Sequence, residues 1–93
     1  MIRACKDRVT EAVFRGESQK GFPSNLVKIA RRKLGYLDAA IDLRDLRQPP
    51  GNRLEALRGE RQGQHSIRIN DQFRICFRWT PQGPTDVEVT DYH

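Results

Sequence analysis

The triplet Asp91-Tyr92-His93 brings a carboxylate, a phenol and an imidazole together at the end of a predicted strand. Imidazole has a reference pKa of about 6.5, so it can act as a general base or a general acid near neutral pH. Cleavage of RNA without a metal needs a base at the ribose 2′-hydroxyl, a cation beside the phosphate and an acid at the departing 5′-oxygen. A phenol can donate a proton or stack on a nucleobase. The triplet suits this chemistry, although residue types alone do not separate it from an inert chain end.

Arginines in the predicted sheet could supply the cation. Arg74 and Arg78 alternate with apolar residues along one strand, Arg68 lies on the neighbouring strand, and Arg58 ends the strand before it. A guanidinium group is a rigid fork of donors that matches phosphate oxygens and stays charged. Several on one face would bind a phosphodiester backbone, whereas any single one is an ordinary solvent-facing residue. We therefore predict that these arginines contact RNA.

Two further side chains could take part. His65 opens a strand beside Ser66, but a serine and a histidine adjacent in sequence do not make a catalytic triad, which needs spatial pairing and an orienting acid. His65 is interpreted as a structural residue or an RNA contact. Glu55 is a general base if it lies near Arg58, and otherwise a solvated carboxylate.

Size and charge limit the classes of function. The 93 residues form one predicted domain, 1–93, with room for a single core. Seventeen Lys and Arg against twelve Asp and Glu leave a net charge of +5, which favours a polyanionic partner. No apolar run reaches the roughly 18 residues of a membrane span. The charged first residues do not resemble a signal peptide. We therefore expect a cytoplasmic protein with no membrane partner.

The sequence predicts neither a metal site nor a cofactor. Its two histidines, His65 and His93, and its two cysteines, Cys5 and Cys76, lack the spacing of a structural zinc site. The cysteines are far apart and form no CxxC pair. In a cytoplasmic chain we expect them to be reduced and packed, with a disulfide still possible.

The predicted secondary structure that must position these groups changes from helices to strands near Pro49-Pro50. Before it, apolar residues recur at helical spacing along one stripe, at Leu26, Ala30, Leu34, Leu37 and Ile41. Ser24 is the predicted N-cap of this helix. The helical pattern continues or kinks through residues 42–46 before the prolines stop it. A short helix is predicted over Asp7 to Arg15, after a brief strand over Met1 to Cys5.

Beyond the prolines the hydrophobic period is two. Phe73, Ile75, Phe77 and Trp79 are predicted to face one way, and Arg74, Cys76 and Arg78 the other. Further strands are predicted over 53–58, over 67–69 and through Val87 and Val89, with turns at Asn70-Asp71 and at residues 81–84. The pattern predicts an α+β domain, in which N-terminal helices pack on a small, mainly antiparallel sheet of four to five strands.

Four segments of this chain resemble the HigB toxins, or plasmid maintenance killer proteins, of the RelE/ParE superfamily. The segments are NRLEALRG (52–59), GQHSIRIN (63–70), FRICF (73–77) and VEVTDYH (87–93). The likeness covers nearly the whole chain. The terminal Asp91-Tyr92-His93 is its most specific part.

The resemblance implies a RelE-like fold and a toxin of a type II toxin–antitoxin pair. Such toxins enter the ribosomal A site and cut mRNA without metal, by attack of the ribose 2′-hydroxyl on the adjacent phosphate. It also implies a helix–turn–helix (HigA-like) antitoxin as partner. The joint complex represses its own operon, so operator DNA would be contacted only through that complex.

Residue by residue, Asp91, Tyr92 and His93 match the catalytic triplet of the family, and Arg74 matches the arginine that holds the scissile phosphate. Arg58 stands where many relatives have lysine. Glu55 departs from the pattern, because better-studied relatives have histidine there. Because a glutamate cannot be cationic, we expect either redistributed acid–base roles or a slower enzyme. Asp91 or Glu55 as base, with His93 as acid, is the working hypothesis.

Two other classes of protein remain open from the sequence. A ParE-like toxin would share the fold but act by binding DNA gyrase, and such proteins typically lack the catalytic cluster. A nucleic-acid-binding module without chemistry would also account for the charge of +5 and the arginines. Truncation at His93 separates this module from a nuclease, because only the nuclease would lose toxicity while keeping RNA affinity.

Overall fold

The computed structural model describes residues 1–91. Two α-helices are followed by four strands: α1 Arg8–Phe14, α2 Val27–Ala39, β1 Glu55–Ala56, β2 His65–Arg68, β3 Arg74–Thr80 and β4 Gly83–Thr90. The strands lie in the order β1-β2-β3-β4, and each neighbouring pair is antiparallel. This confirms the α+β class and the antiparallel meander predicted from the hydrophobic patterns. No helix within residues 1–91 is long and apolar enough to cross a membrane.

Helix α1 begins where predicted and is joined to the sheet through a buried hydroxyl. The Asp7 carboxylate accepts a hydrogen bond from the backbone N–H of Thr10 at 2.8 Å, which caps the first turn. The Thr10 Oγ1 atom is buried and accepts a hydrogen bond from the backbone N–H of Val89 at 3.0 Å. This contact fixes α1 against β4.

Helix α2 confirms the central part of the predicted stripe, because Ala30, Leu34 and Leu37 are fully buried. Its predicted start is wrong. Ser24 lies within a 3₁₀ turn, Ser24–Leu26, that precedes the helix, and the residue before that turn makes no side-chain cap.

The predicted end of the stripe is also wrong, because Ile41 is 92% exposed. The helix ends at Ala39, and the Asp45 carboxylate accepts the backbone N–H groups of Ile41 and Asp42 at 3.0 Å each. These bonds close a capping box that starts a separate 3₁₀ turn, Leu43–Arg47. The helical pattern after residue 41 belongs to this turn rather than to α2.

The core lies between the helices and one face of the sheet. Ile67, Ile75 and Phe77 are fully buried there, and Trp79 packs against them while partly exposed. Phe73 extends the cluster through an edge-on contact with Phe22, with ring centroids 5.1 Å apart. The predicted division of β3 into an apolar face and an arginine face is confirmed.

The two edges of the sheet differ from the prediction. Strand β1 contains two residues instead of the predicted six over 53–58. Arg53 is left-handed (φ 46°), which a strand does not allow, and Arg58 already caps the 3₁₀ turn Gly59–Arg61. At the opposite edge, the segment predicted as a strand over Met1 to Cys5 forms one parallel bridge, between Cys5 and Val87. Cys5 and Cys76 are both free thiols, as expected.

Candidate active site

The sheet face that points away from the helices carries the predicted cations. Arg74 of β3 is the direct cross-strand partner of Arg68 in β2 and of Thr90 in β4. Directly opposed residues of an antiparallel pair lie on the same face. Ser66 and Glu88 share this face, because both pair with Cys76. We refer to this surface, which carries these six residues and Arg78, as the outer face.

Arg74 is the most constrained side chain of the outer face. Its Nε atom donates to Ser66 Oγ at 2.7 Å, and its Nη2 atom donates to the backbone carbonyl of Arg53 at 2.8 Å. The side chain is 17% exposed. Within residues 1–91, its Nη1 atom makes no hydrogen bond. The guanidinium is therefore oriented by the protein while donors remain for an anion such as a phosphate.

Glu55 lies beside Arg74. It is the first residue of β1 and pairs with Ser66, which brings its carboxylate onto the outer face. The Glu55 Oε1 atom is 3.5 Å from Arg74 Nη2, and the side chain is 54% exposed. A carboxylate in this position can accept a proton from a group that binds next to the guanidinium.

The end of β4 leads the chain towards Arg74. Thr90 pairs with Arg74, and Asp91 is the next residue. Asp91 is exposed, and its Oδ2 atom accepts a hydrogen bond from Gln72 Nε2 at 2.9 Å. Tyr92 and His93, the other two members of the predicted triplet, lie outside the described residues.

The other predicted arginines are distributed unevenly around Arg74. Arg68 lies directly opposite it and forms an ion pair with Asp71. Arg78 is four residues further along β3, about 13 Å away at the usual strand rise, and its Nε atom is 3.5 Å from Asp86 Oδ2. Arg58 is exposed just before a 3₁₀ turn, Gly59–Arg61. The structure thus brings Arg68 and Glu55 next to Arg74 and leaves Arg78 at a distance.

His65 lies on the other side of the sheet from the arginines. It pairs with Phe77, whose ring it stacks on with centroids 6.2 Å apart. Its Nδ1 atom is buried without a hydrogen-bond partner among residues 1–91. The ring borders an open cleft of about 230 Å³ whose walls include Leu43, Leu54, Arg44 and Arg47. The structure therefore does not group His65 with the predicted RNA-contacting arginines.

Sequence reasoning missed a second charged group on the outer face. Glu88 Oε1 is 3.2 Å from Arg61 Nη1 and 3.7 Å from Lys6 Nζ. Cys76 lies beneath this group at 1% exposure, and burial raises the pKa of its thiol to about 11. The position of Glu88 between Val87 and Val89 was a usable signal, since alternation places it opposite the core. Arg61 lies in a turn, where no periodicity indicates which face of the protein its side chain joins.

The described side chains can bind an anion and exchange protons. Among residues 1–91, no group of three His, Cys, Asp or Glu side chains could hold a metal ion. The chemistry of the outer face is that of guanidinium groups, carboxylates and the Ser66 hydroxyl.

Comparison with known proteins identifies a family that this chain matches along most of its length. The family model described as the RelE-like toxin of the type II toxin–antitoxin system HigB matches residues 4–93. Toxin HigB-1 of Vibrio cholerae serotype O1 is 43% identical over 75 residues, which cover 80% of this chain and 79% of that toxin. An uncharacterized protein of Haemophilus influenzae is 39% identical over 64 residues, 69% of this chain and 63% of its own length.

Proposed function

The chain belongs to the HigB-like family of RelE-like toxins of type II toxin–antitoxin systems, and from this premise we propose that it is an endoribonuclease that cuts mRNA on the ribosome. A type II toxin has a cognate antitoxin as its partner. We expect that partner to be a HigA-like helix–turn–helix protein, with operator DNA contacted only through the complex.

The observation that carries the proposal is the oriented guanidinium of Arg74. Two short hydrogen bonds, to Ser66 Oγ and to the Arg53 carbonyl, hold it on the outer face. Donors that are fixed before substrate arrives stabilise developing charge without reorganisation, which is a large term in catalysis. The contact with Glu55, at 3.5 Å and half exposed, is weak enough for a phosphate to replace it.

The proposed reaction assigns each step to a side chain. A carboxylate, Asp91 or Glu55, removes the proton from the ribose 2′-hydroxyl. The 2′-oxygen then forms a bond to the adjacent phosphorus while Arg74 neutralises the phosphate oxygens. The bond from phosphorus to the 5′-oxygen breaks, and His93 donates the proton that this oxygen needs. The products are a 2′,3′-cyclic phosphate and a free 5′-hydroxyl. Tyr92 would stack on a base or donate a proton.

The remaining residues would support RNA binding. Arg58, Arg68, Arg78 and His65 stay proposed contacts. The net charge of +5 favours a polyanion. A site with so few groups gains most when its substrate is already held in a reactive geometry, which is what a ribosome does for mRNA. Action on the ribosome places the proposed activity in the cytoplasm.

Expression of the native chain and of His93→Ala, followed by mapping of mRNA ends, tests the proposal. We expect new 5′-hydroxyl ends within translated regions for the native chain and none for the variant, with growth arrest lost in parallel. Intact mRNA accompanied by DNA damage would instead favour a gyrase-directed toxin. Unchanged toxicity of His93→Ala would favour a binding module without chemistry.

Purified protein tests the dependence on the ribosome. The same mRNA is offered either naked or bound to translating ribosomes, and the cleavage rates are compared. We expect efficient cutting only on ribosomes. Equal rates on both substrates would exclude the requirement for the ribosome while leaving the nuclease activity in place.

A further inference from the structure

The carbonyl group that holds Arg74 belongs to a residue in a strained conformation. Arg53 has φ 46° and ψ 57°, the left-handed region that residues other than glycine rarely adopt. Such a conformation persists only where surrounding contacts determine it, and it is often found at functional sites. The residue just before it, Asn52, is itself held by several buried hydrogen bonds.

The Asn52 side chain forms hydrogen bonds with the backbone of the preceding loop. It is fully buried, and its Nδ2 atom donates to the backbone carbonyls of Leu46 and Gln48 at 3.1 Å each. Its Oδ1 atom accepts a hydrogen bond from Lys33 Nζ at 2.7 Å. Both amide hydrogens and the oxygen are therefore used, so the side chain has a single orientation.

Lys33 extends this network to helix α2. The side chain is 6% exposed, and none of the ion pairs within residues 1–91 involves it. Burial is the main cause that lowers its pKa, followed by repulsion from Arg32 and Arg68. An apolar side chain would be less costly to bury here. What the ammonium adds is a directional hydrogen bond to Asn52.

We propose that Asn52, oriented by Lys33, is a positioning residue that sets the Arg74 guanidinium for catalysis. Lys33 of α2 donates a hydrogen bond to Asn52, which is the residue before Arg53. The Arg53 carbonyl in turn accepts a hydrogen bond from Arg74 Nη2. Asn52 is buried and touches no substrate, so it acts only through Arg74. The inference rests on the proposed function, because it assigns Arg74 to the scissile phosphate.

A nuclear magnetic resonance experiment tests the positioning independently of activity. The Arg74 Nε–Hε signal, assigned by its loss in Arg74→Lys, reports the hydrogen bond to Ser66 Oγ. We expect this signal to move towards the shift of exposed arginines in Asn52→Ala and, to a smaller extent, in Lys33→Met. Val13→Ala, which removes volume from the core against α1, is the matched control and should leave the signal in place. An unmoved signal in folded Asn52→Ala overturns the proposal.

Steady-state cleavage of mRNA on programmed ribosomes tests the consequence for catalysis. We expect Asn52→Ala to lower kcat about 10-fold or more, with KM changed less than about 3-fold, because misplacing a catalytic group slows the chemical step rather than binding. In an Arg74→Lys background the same change should have an effect of less than about 3-fold, since residues that act as one unit are not additive. Additive effects in the two backgrounds would overturn the proposal.

Two measures keep these tests decisive. If Asn52→Ala does not fold, Lys33→Met takes its place, because it leaves the two amide hydrogen bonds of Asn52 to the loop intact. If the native chain cleaves no RNA, the proposed function fails, and the resonance experiment still decides whether Asn52 positions Arg74.

Discussion

At the scale of the residue, the properties of the outer face depend on which polar groups are oriented and which are merely exposed. Arg74 is held by Ser66 and by the Arg53 carbonyl, whereas Arg78 meets Asp86 in an exposed ion pair. Exposed pairs contribute little to stability and fix geometry weakly. The same residue type is therefore firmly oriented at one position of β3 and loosely held at another.

Replacing Arg74 with lysine should lower the cleavage rate about 10²-fold or more, even though the charge is kept. An ammonium cannot bond Ser66, the Arg53 carbonyl and a phosphate in one fixed plane. Single-turnover cleavage on ribosomes measures the effect. Arg15→Lys is the matched control, because Arg15 makes an exposed ion pair with Glu17 at 3.2 Å. Equal rates for the two variants would remove Arg74 from the mechanism.

Cys76 makes the folding stability depend on pH in the alkaline range. Its thiol pKa rises from 9.0 to about 11, mainly through burial, so only the unfolded chain readily loses this proton between those values. The contribution of the thiol to stability is therefore fully present below pH 9.0 and is lost as pH rises to about 11, by roughly 2–3 kcal/mol.

Urea unfolding of the native chain and of Cys76→Ala, at about pH 8 and about pH 10.5, measures this effect. The difference in stability between the two proteins should shrink at the higher pH, because only the native chain loses stability through the thiol. Other titrating groups, including Lys33, cancel in the comparison. A difference that stays constant with pH would contradict the expected ionisation.

At the scale of the element, β4 is the strand that determines where Thr90 lies relative to Arg74. Its first residue, Gly83, has φ 121°, and a Cβ there would collide with the Met1 carbonyl oxygen. Its bulge places Asp86 in a left-handed conformation, so β4 has one more residue than β3 between the Cys76 and Arg78 pairs. After these adjustments Thr90 lies opposite Arg74.

Thr10→Val should destabilise the protein by about 1–3 kcal/mol, because it leaves the buried N–H of Val89 without an acceptor. Thr10→Ser keeps the hydroxyl and is the matched control, so its cost should be clearly smaller. Thermal and urea unfolding measure both variants. A Thr10→Val protein as stable as Thr10→Ser would show that the bond does not hold β4 to α1.

At the scale of the whole molecule, the net charge of +5 is carried by more than the outer face. The outer-face arginines 68 and 78 are paired with carboxylates, which offsets part of their charge. Lys28, Arg31 and Arg32 are exposed on α2, on the opposite side of the sheet. If the protein binds RNA as proposed, long-range attraction would come from the molecule as a whole, and the specific contact from one face.

Affinity for single-stranded RNA should fall steeply with salt. If about three phosphates are neutralised, raising monovalent salt from about 50 to about 200 mM should weaken binding about 15- to 20-fold, because bound counterions are released on association. Fluorescence anisotropy with a labelled oligoribonucleotide measures the slope. A slope near zero would argue against phosphate contacts as the main source of affinity.

The hydrophobic patterns alone determined the fold class and much of the element order. Periodicity reports burial, and burial is what makes Ala30, Leu34 and Leu37 one helix face and Ile75 and Phe77 one sheet face. The predictions failed at the helix ends, at Ser24 and Ile41, because capping depends on local hydrogen bonds that hydrophobicity does not encode. The family resemblance is confirmed, whereas the catalytic triplet and the RNA contacts stay predictions.

Only the tertiary structure decided how the candidate site is assembled. The sequence placed Arg74 on a polar face, but its bonds to Ser66 and to the Arg53 carbonyl join segments 8 and 21 residues apart. The bond from Lys33 to Asn52, which we propose supports that carbonyl, joins residues 19 apart in the sequence. His65 shares a strand with Arg68 and yet lies on the other face of the sheet. Alternation along a strand is a local property, so it can be read from the sequence. Contacts between a loop and a distant side chain depend on the packing of the whole chain, so they cannot.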